Sequence, residues 1–177
     1  PIVIAQHLDP ARPSHLGEIL ARHSTLPVRN LTEEEALASG VVFVVPANRN
    51  VEITDHAVRL NTEEVGRSKP SVDALLSSAA AIFGENLVAV ILTGSGSDGA
   101  IGARAVKAAG GTVVIQNPET AEFPAMPRAL APTSVDVVAD LENLGAVLHT
   151  LVTGVKAPRG PSDEDALKAV LAEVRTR

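Results

Sequence analysis

The strand candidates along this chain are mostly continuous apolar runs, with little in-and-out alternation. Pro1-Ile2-Val3-Ile4-Ala5, Val41-Val42-Phe43-Val44-Val45 and Leu87-Val88-Ala89-Val90-Ile91-Leu92 each read as a strand covered on both faces, as in the interior of a parallel sheet. Residues 112–115 and Val135-Asp136-Val137-Val138 are shorter members of the same set. Helical spacing falls between them. Leu16, Ile19, Leu20 and His23 share one face behind Ser14 as N-cap, and Leu75, Leu76, Ala79 and Ile82 share another behind Ser71, over residues 72–83. An alanine-rich helix over 100–109 is ended by Gly110-Gly111, a short helix over 126–130 has Pro127 in its first turn, and a last core helix covers 141–152. This rhythm predicts an α/β fold: a doubly wound, mostly parallel sheet with helices on both faces. Val51-Glu52-Ile53-Thr54 and Ala57-Val58-Arg59-Leu60 alternate more nearly, so a short antiparallel hairpin is expected as an appendage. Thr32 and Glu35 have capping-box spacing, but Gly40 follows so soon that a turn is expected there.

Past residue 153 the pattern changes. Residues 154–161, with Lys156-Ala157-Pro158-Arg159-Gly160-Pro161, read as a linker. Residues 162–177 read as an amphipathic C-terminal helix capped by Ser162, with Leu167, Val170, Leu171 and Val174 on one face. Its acids come early and its arginines late, as the helix dipole prefers.

Composition narrows the classes of function. The chain has 177 residues, 45% of them hydrophobic, enough for one domain with a real core. It has no cysteine, which removes thiolate and disulfide chemistry and fits a reducing, cytoplasmic compartment. The net charge of −6 and an aromatic content of 2% argue against a nucleic-acid surface, since neither a basic patch nor stacking platforms are available. The apolar runs are strand length, so no membrane insertion is expected. The histidines at 7, 15, 23, 56 and 149 show no paired ligand spacing, so no metal site is expected.

The candidate chemistry lies where two of the apolar runs end. Gln6-His7 closes the first run, and Thr93-Gly94-Ser95-Gly96-Ser97-Asp98-Gly99 follows the run at 87–92. Taken singly, each is ordinary: a lone histidine at a strand end is usually a surface residue, and Asp in a glycine turn is usually a helix cap. Both fall at the carboxyl ends of parallel strands, so both should project from one sheet edge. There a carboxylate could fix the tautomer of an imidazole used in acyl transfer. The glycine turn also fits two other readings. Its G-x-G-x-x-G spacing is that of a dinucleotide loop, with Glu119 near the distance of a ribose-binding acid, and its amides around Ser95 could bind an oxyanion. From spacing alone a plain tight turn needing positive φ ranks first, with the other two readings about equal behind it. Of the serines, Ser14 and Ser71 look like caps, and neither Ser95 nor Ser97 stands in a G-x-S-x-G elbow.

Several separate motifs agree in order and spacing with one family. Ile4-Ala5-Gln6-His7-Leu8-Asp9-Pro10, Pro70-Ser71-Val72-Asp73, Ile91-Leu92-Thr93-Gly94-Ser95-Gly96-Ser97-Asp98-Gly99-Ala100, Lys107-Ala108-Ala109-Gly110-Gly111, Glu119-Thr120-Ala121 and Met126-Pro127 resemble the CheB-type chemotaxis methylesterases over residues 1–152. The Gln-His-Leu-Asp-Pro form looks most like the branch fused to receptor methyltransferases. The resemblance implies hydrolysis of glutamate methyl esters, and deamidation of glutamines, on the cytoplasmic helices of chemoreceptors, by a Ser–His–Asp triad without metal or organic cofactor. It implies that His7 is the base, Asp98 its orienting acid, and Gly94, Ser95, Gly96 and Met126 the oxyanion and substrate surroundings. It makes residues 1–153 the catalytic domain and suggests a receptor methyltransferase or a response-regulator module as companions. The family's serine sits in a Gly-x-Ser-x-Gly-Gly turn after a strand preceding the Gln-His motif, and this sequence opens at what would be the second strand. Ser95 replaces a common methionine, and Lys69 stands where many members carry arginine. A receptor-binding relative without turnover is the alternative from another class, and a nucleotide-binding module using the glycine turn is a third.

Overall fold

The computed structural model describes residues 1–8, 14–61 and 70–154. The expected linker, apart from Gly154, and the expected 162–177 helix lie outside the described residues. The chain runs β1 (Ile2–Ile4), α1 (Leu16–His23), β2 (Val28–Asn30), β3 (Glu35–Ala36), β4 (Val42–Val44), β5 (Asn50–Ile53), β6 (Ala57–Asn61), α2 (Val72–Phe83), β7 (Val88–Ile91), α3 (Ala100–Ala108), β8 (Thr112–Gln116), α4 (Ala125–Ala129), β9 (Val137–Ala139) and α5 (Leu141–Thr153).

The parallel strands form two groups of three, in the orders β1-β4-β2 and β7-β8-β9. In the first, Ile4 and Asn30 both pair with Val44; in the second, Ile91 pairs with Ile115 and Gln116 with Ala139. The second group is covered on both faces. Ala89, Ile91, Val113 and Ile115 pack with α2 and α3 residues Leu76, Ala80, Ala103 and Val106. The alternate residues Val88, Val90 and Val114 pack with Leu144 and Leu148 of α5. Continuous apolar runs were therefore the right sign of buried strands at β4, β7 and β8, but not at β1, which is the outer strand of its group, has no buried residue and leaves Ile2 exposed. The α/β class read from the sequence holds.

α2 joins the two halves. Leu76 and Ala80 enter the core of β7 and β8, while Leu75 and Ala79 pack with Phe43 and Val45 and with Val51, Ile53 and Val58. Ser71 starts this helix as expected, its Oγ accepting from the Ala74 amide at 3.2 Å. α2 and α3 approach closely at Gly102, where a Cβ would lie 2.7 Å from the Leu76 Cβ.

Several details differ from the sequence reading, among them β2 over Val28–Asn30, which no apolar run predicted. The antiparallel appendage has three strands in the order β3-β6-β5, not two. β3 arises from Glu35 and Ala36, in the stretch expected to turn; Ala36 pairs with Ala57, and a two-residue strand is too short to carry a visible period. α4 begins at Ala125, with Pro127 buried inside it. β9 starts two residues late, at Val137, because a 3₁₀ turn over Pro132–Ser134 takes up the chain before it. Among the described residues, no helix is long and apolar enough to cross a membrane.

Candidate active site

His7 lies three residues beyond β1, and Asp98 lies in the turn between β7 and α3. Both leave carboxyl ends of parallel strands, and their side chains meet, with His7 Nε2 3.2 Å from Asp98 Oδ2. The imidazole is one-third exposed, at 33%, and the carboxylate is more enclosed, at 13%.

Asp98 is fixed by backbone. Its Oδ2 accepts from the Val72 amide and its Oδ1 from the Asp73 amide, each at 2.9 Å. These are the first two amides of α2, which no carbonyl within the helix can reach. Asp98 is thus a helix cap, as the plainer sequence reading allowed, but for α2 instead of for the helix that follows it. Gly99, at φ +102°, occupies the N-cap position of α3. The capping role and the contact with His7 coexist on one carboxylate.

The other expected site residues form the wall of the glycine turn. The Gly94 amide donates to the Phe123 carbonyl at 2.8 Å, and the Gly94 carbonyl accepts from the Met126 amide at 3.0 Å. Met126 is buried, and its thioether lies so close to Gly94 that any Cβ there would clash with it. The amides of Gly94 and Met126 are therefore engaged within the wall. Ser95 and Gly96 are exposed, and among the described residues their amides have no protein acceptor. Gly96 takes φ +87°, a conformation that suits glycine.

Sequence reasoning missed the polar residues that hold this wall. Buried Gln116, at the end of β8, accepts from the Thr93 amide through Oε1 at 2.8 Å. Thr93 Oγ1 accepts from the Phe123 amide at 2.8 Å, which ties the 117–124 loop to β7. Buried Asn50 accepts from the Ser71 amide at 2.9 Å, anchoring the start of α2 to β5. Asp140 receives hydrogen bonds from Asn117 Nδ2 at 2.9 Å and Thr120 Oγ1 at 2.8 Å, and these donors hold its carboxyl below the ordinary value of 3.8. A single polar residue ending an apolar run was the available signal for Gln116, and it is a weak one.

The hydroxyls are placed as caps or on the surface. Ser14 is not the N-cap of α1, a position held by His15, but lies one residue before it and accepts from the Leu16 amide; Ser71 is the buried cap of α2, and Ser95 and Ser97 are exposed. Among the described residues, no hydroxyl hydrogen-bonds to His7. Glu119, the acid that a dinucleotide reading would need, pairs with Arg128 at 3.0 Å. Among the described residues, no three His, Asp or Glu side chains group as a metal ion would require.

With Nε2 turned to Asp98, Nδ1 is the ring nitrogen without a partner among the described residues and could meet a reacting group. A carboxylate-braced histidine beside uncommitted amides at a sheet edge can move a proton to or from an attacking or leaving oxygen. Comparison with known proteins agrees with that chemistry. The sequence profile described as CheB methylesterase matches residues 1–148. A Leptospira interrogans protein, named as a candidate protein-glutamate methylesterase/protein-glutamine glutaminase, is 39% identical over 154 residues, covering 85% of this chain and 80% of that protein. The protein-glutamate methylesterase/protein-glutamine glutaminase of Moorella thermoacetica is 37% identical over 160 residues, covering 86% of this chain but 38% of that protein. The chain therefore spans well under half the length of some curated relatives. The crystal structure of the Thermotoga maritima CheB methylesterase catalytic domain matches with a TM-score of 0.78 at 31% identity, over 86% of this chain and 84% of that one. The chain belongs to the CheB methylesterase family.

Proposed function

We propose that this chain supplies the base and the orienting acid of a hydrolase that cleaves glutamate methyl esters, and deamidates glutamines, on the cytoplasmic helices of chemoreceptors. The observation that carries this reading is the His7–Asp98 contact at 3.2 Å, formed by a carboxylate already fixed on the amides of α2. In the mechanism, His7 Nε2–H donates to Asp98, and Nδ1 accepts the proton of an attacking serine hydroxyl. The serine oxygen adds to the ester carbonyl, and the oxyanion is met by amides of the Ser95-Gly96 turn. The imidazolium, stabilised by ionised Asp98, returns the proton to the departing methoxide, which leaves as methanol; from a glutamine the leaving group is ammonia. Water then repeats the cycle on the acyl-serine and releases glutamate. The serine would come from the family's Gly-x-Ser-x-Gly-Gly turn, which is not among these 177 residues. Gly94 and Met126 shape the pocket wall. A receptor methyltransferase or a response-regulator module is the companion domain this reading suggests, and the cytoplasm its compartment.

Methanol release from methylated receptor by the full-length encoded protein tests the reading. His7→Ala is expected to lower the rate by about 10³-fold or more. Equal release by the parent and the variant contradicts the role given to His7, and negligible release by both supports a receptor-binding relative instead.

A further inference from the structure

Asp98 has a counterpart that the mechanism does not use. Asp73, the second residue of α2, sends its carboxylate back to the start of α3. Its Oδ1 accepts from the Gly99 amide at 2.9 Å and from the Gly102 amide at 2.7 Å. Asp98, just before α3, takes the Val72 and Asp73 amides at the start of α2. The two helix starts therefore exchange carboxylates, each acid satisfying two amides that its partner helix cannot satisfy internally. The exchange depends on glycine at two places. Gly99 takes φ +102°, and at Gly102 a Cβ would lie 3.2 Å from the Asp73 Cα, so the helices can approach only if that position is bare.

This arrangement bears directly on the reacting pair. The peptide plane containing the Gly99 N–H also contains the Asp98 carbonyl and Cα. Anchoring that N–H on Asp73 sets the direction in which Asp98 leaves the chain. Asp98 in turn bonds the amide of Asp73 itself, so a shift in either acid moves the other. We propose that Asp73 is a positioning residue for the hydrolase: it acts through Asp98 to hold the His7 imidazole in its working orientation. The proposal rests on the catalytic reading of His7 and Asp98, but its structural core, Asp73 controlling the Asp98–His7 contact, does not depend on turnover.

The test therefore has two arms, applied to the full-length protein carrying Asp73→Ala, Asp73→Asn, Asp98→Ala, or Asp73→Ala with Asp98→Ala. In the first arm, ¹⁵N–¹H spectra read the His7 ring. The parent should show a protected Nε2 proton; Asp98→Ala and Asp73→Ala should both lose it. Asp73→Asn, whose side-chain oxygen can still accept from Gly99, should keep it. In the second arm, Asp73→Ala should lower kcat for methanol release by about 10- to 100-fold with KM little changed. It should lower kcat no further once Asp98 is alanine, because a residue acting through Asp98 has nothing left to position. A ring proton unchanged in Asp73→Ala overturns the proposal, as does a full additional rate loss in the double variant. If Asp73→Ala does not fold, Asp73→Ser decides, because its shorter side chain withdraws the acceptor from the Gly99 and Gly102 amides; an unchanged ring proton in the folded Ser variant overturns the proposal and its loss supports it. If Asp98→Ala leaves turnover untouched, the catalytic reading has failed, and the ring-proton arm still judges the coupling on its own.

Discussion

Asp98 stands in a turn braced from several directions, whereas His7 stands beyond the end of a three-residue strand with, among the described residues, one polar partner. The carboxylate accepts from two amides of α2, and the turn carrying it is tied through Gly99 to Asp73 and through Gly94 to Phe123 and Met126. The imidazole is one-third exposed and, among the described residues, is held by Asp98. The difference teaches which member of the pair sets the geometry. The carboxylate is fixed by the scaffold, and in the proposed pair the imidazole takes its orientation from it. A preorganised carboxylate is what a proton-transferring histidine needs, because the dipoles around it do not have to reorient as charge develops.

This contrast can be broken by substitution. The largest expected effect is on rate. His7→Ala and Asp98→Ala should each reduce ester hydrolysis by the full-length protein by about 10³- to 10⁴-fold in single-turnover measurements. Next is Gly94→Ala. The new methyl group collides with the Met126 thioether, and repacking that buried wall should cost about 1–3 kcal/mol in urea unfolding. A stability near that of the parent would show that the wall is softer than drawn. The two site residues should then part company in stability. Asp98→Ala removes the acceptor for two helix-start amides and should cost about 1–2 kcal/mol, while His7→Ala should stay within about 0.5 kcal/mol. Similar losses from both would remove the asymmetry on which the comparison rests.

The smallest effect concerns acid stability. Lys107, hydrogen-bonded to Asp136, and then the Val113 amide hold the Asp136 carboxyl below its ordinary value of 3.8; Asn117 and then Thr120 do the same for Asp140. A carboxyl depressed in the folded state adds stability that is full above its unfolded pKa and is lost as pH falls through the folded one. Melting temperature should therefore drop as pH is lowered below about 4. Asp136→Asn and Asp140→Asn should each flatten that drop without moving the curve's shape near neutrality. A drop as steep in the variants as in the parent would place the acid sensitivity elsewhere.

The residues proposed to react stand out more in the sequence than those that hold them. His7 and Asp98 each interrupt a pattern, one closing an apolar run and the other sitting among glycines, and local contrast of that kind is visible in one dimension. Asp73 and Gly102 are 29 positions apart, and their bond exists only because α2 and α3 pack at a bare glycine, which periodicity does not report. Nothing in the sequence marks Gln116 and Asn50 as buried, since burial and hydrogen-bond partners emerge only from tertiary packing. The main strands and the α2 cap were legible for a related reason: they depend on neighbours in sequence. The two-residue β3 strand was not, because its identity comes entirely from pairing with β6.

The central claim is that His7 and Asp98 act as one unit, and a double-mutant cycle on methanol release from methylated receptor measures that directly. Full-length His7→Ala with Asp98→Ala should turn over no more slowly than the worse of the two single variants, because the acid has no function once the imidazole is gone. Rate losses that multiply in the double variant would show two independent contributions and contradict the account.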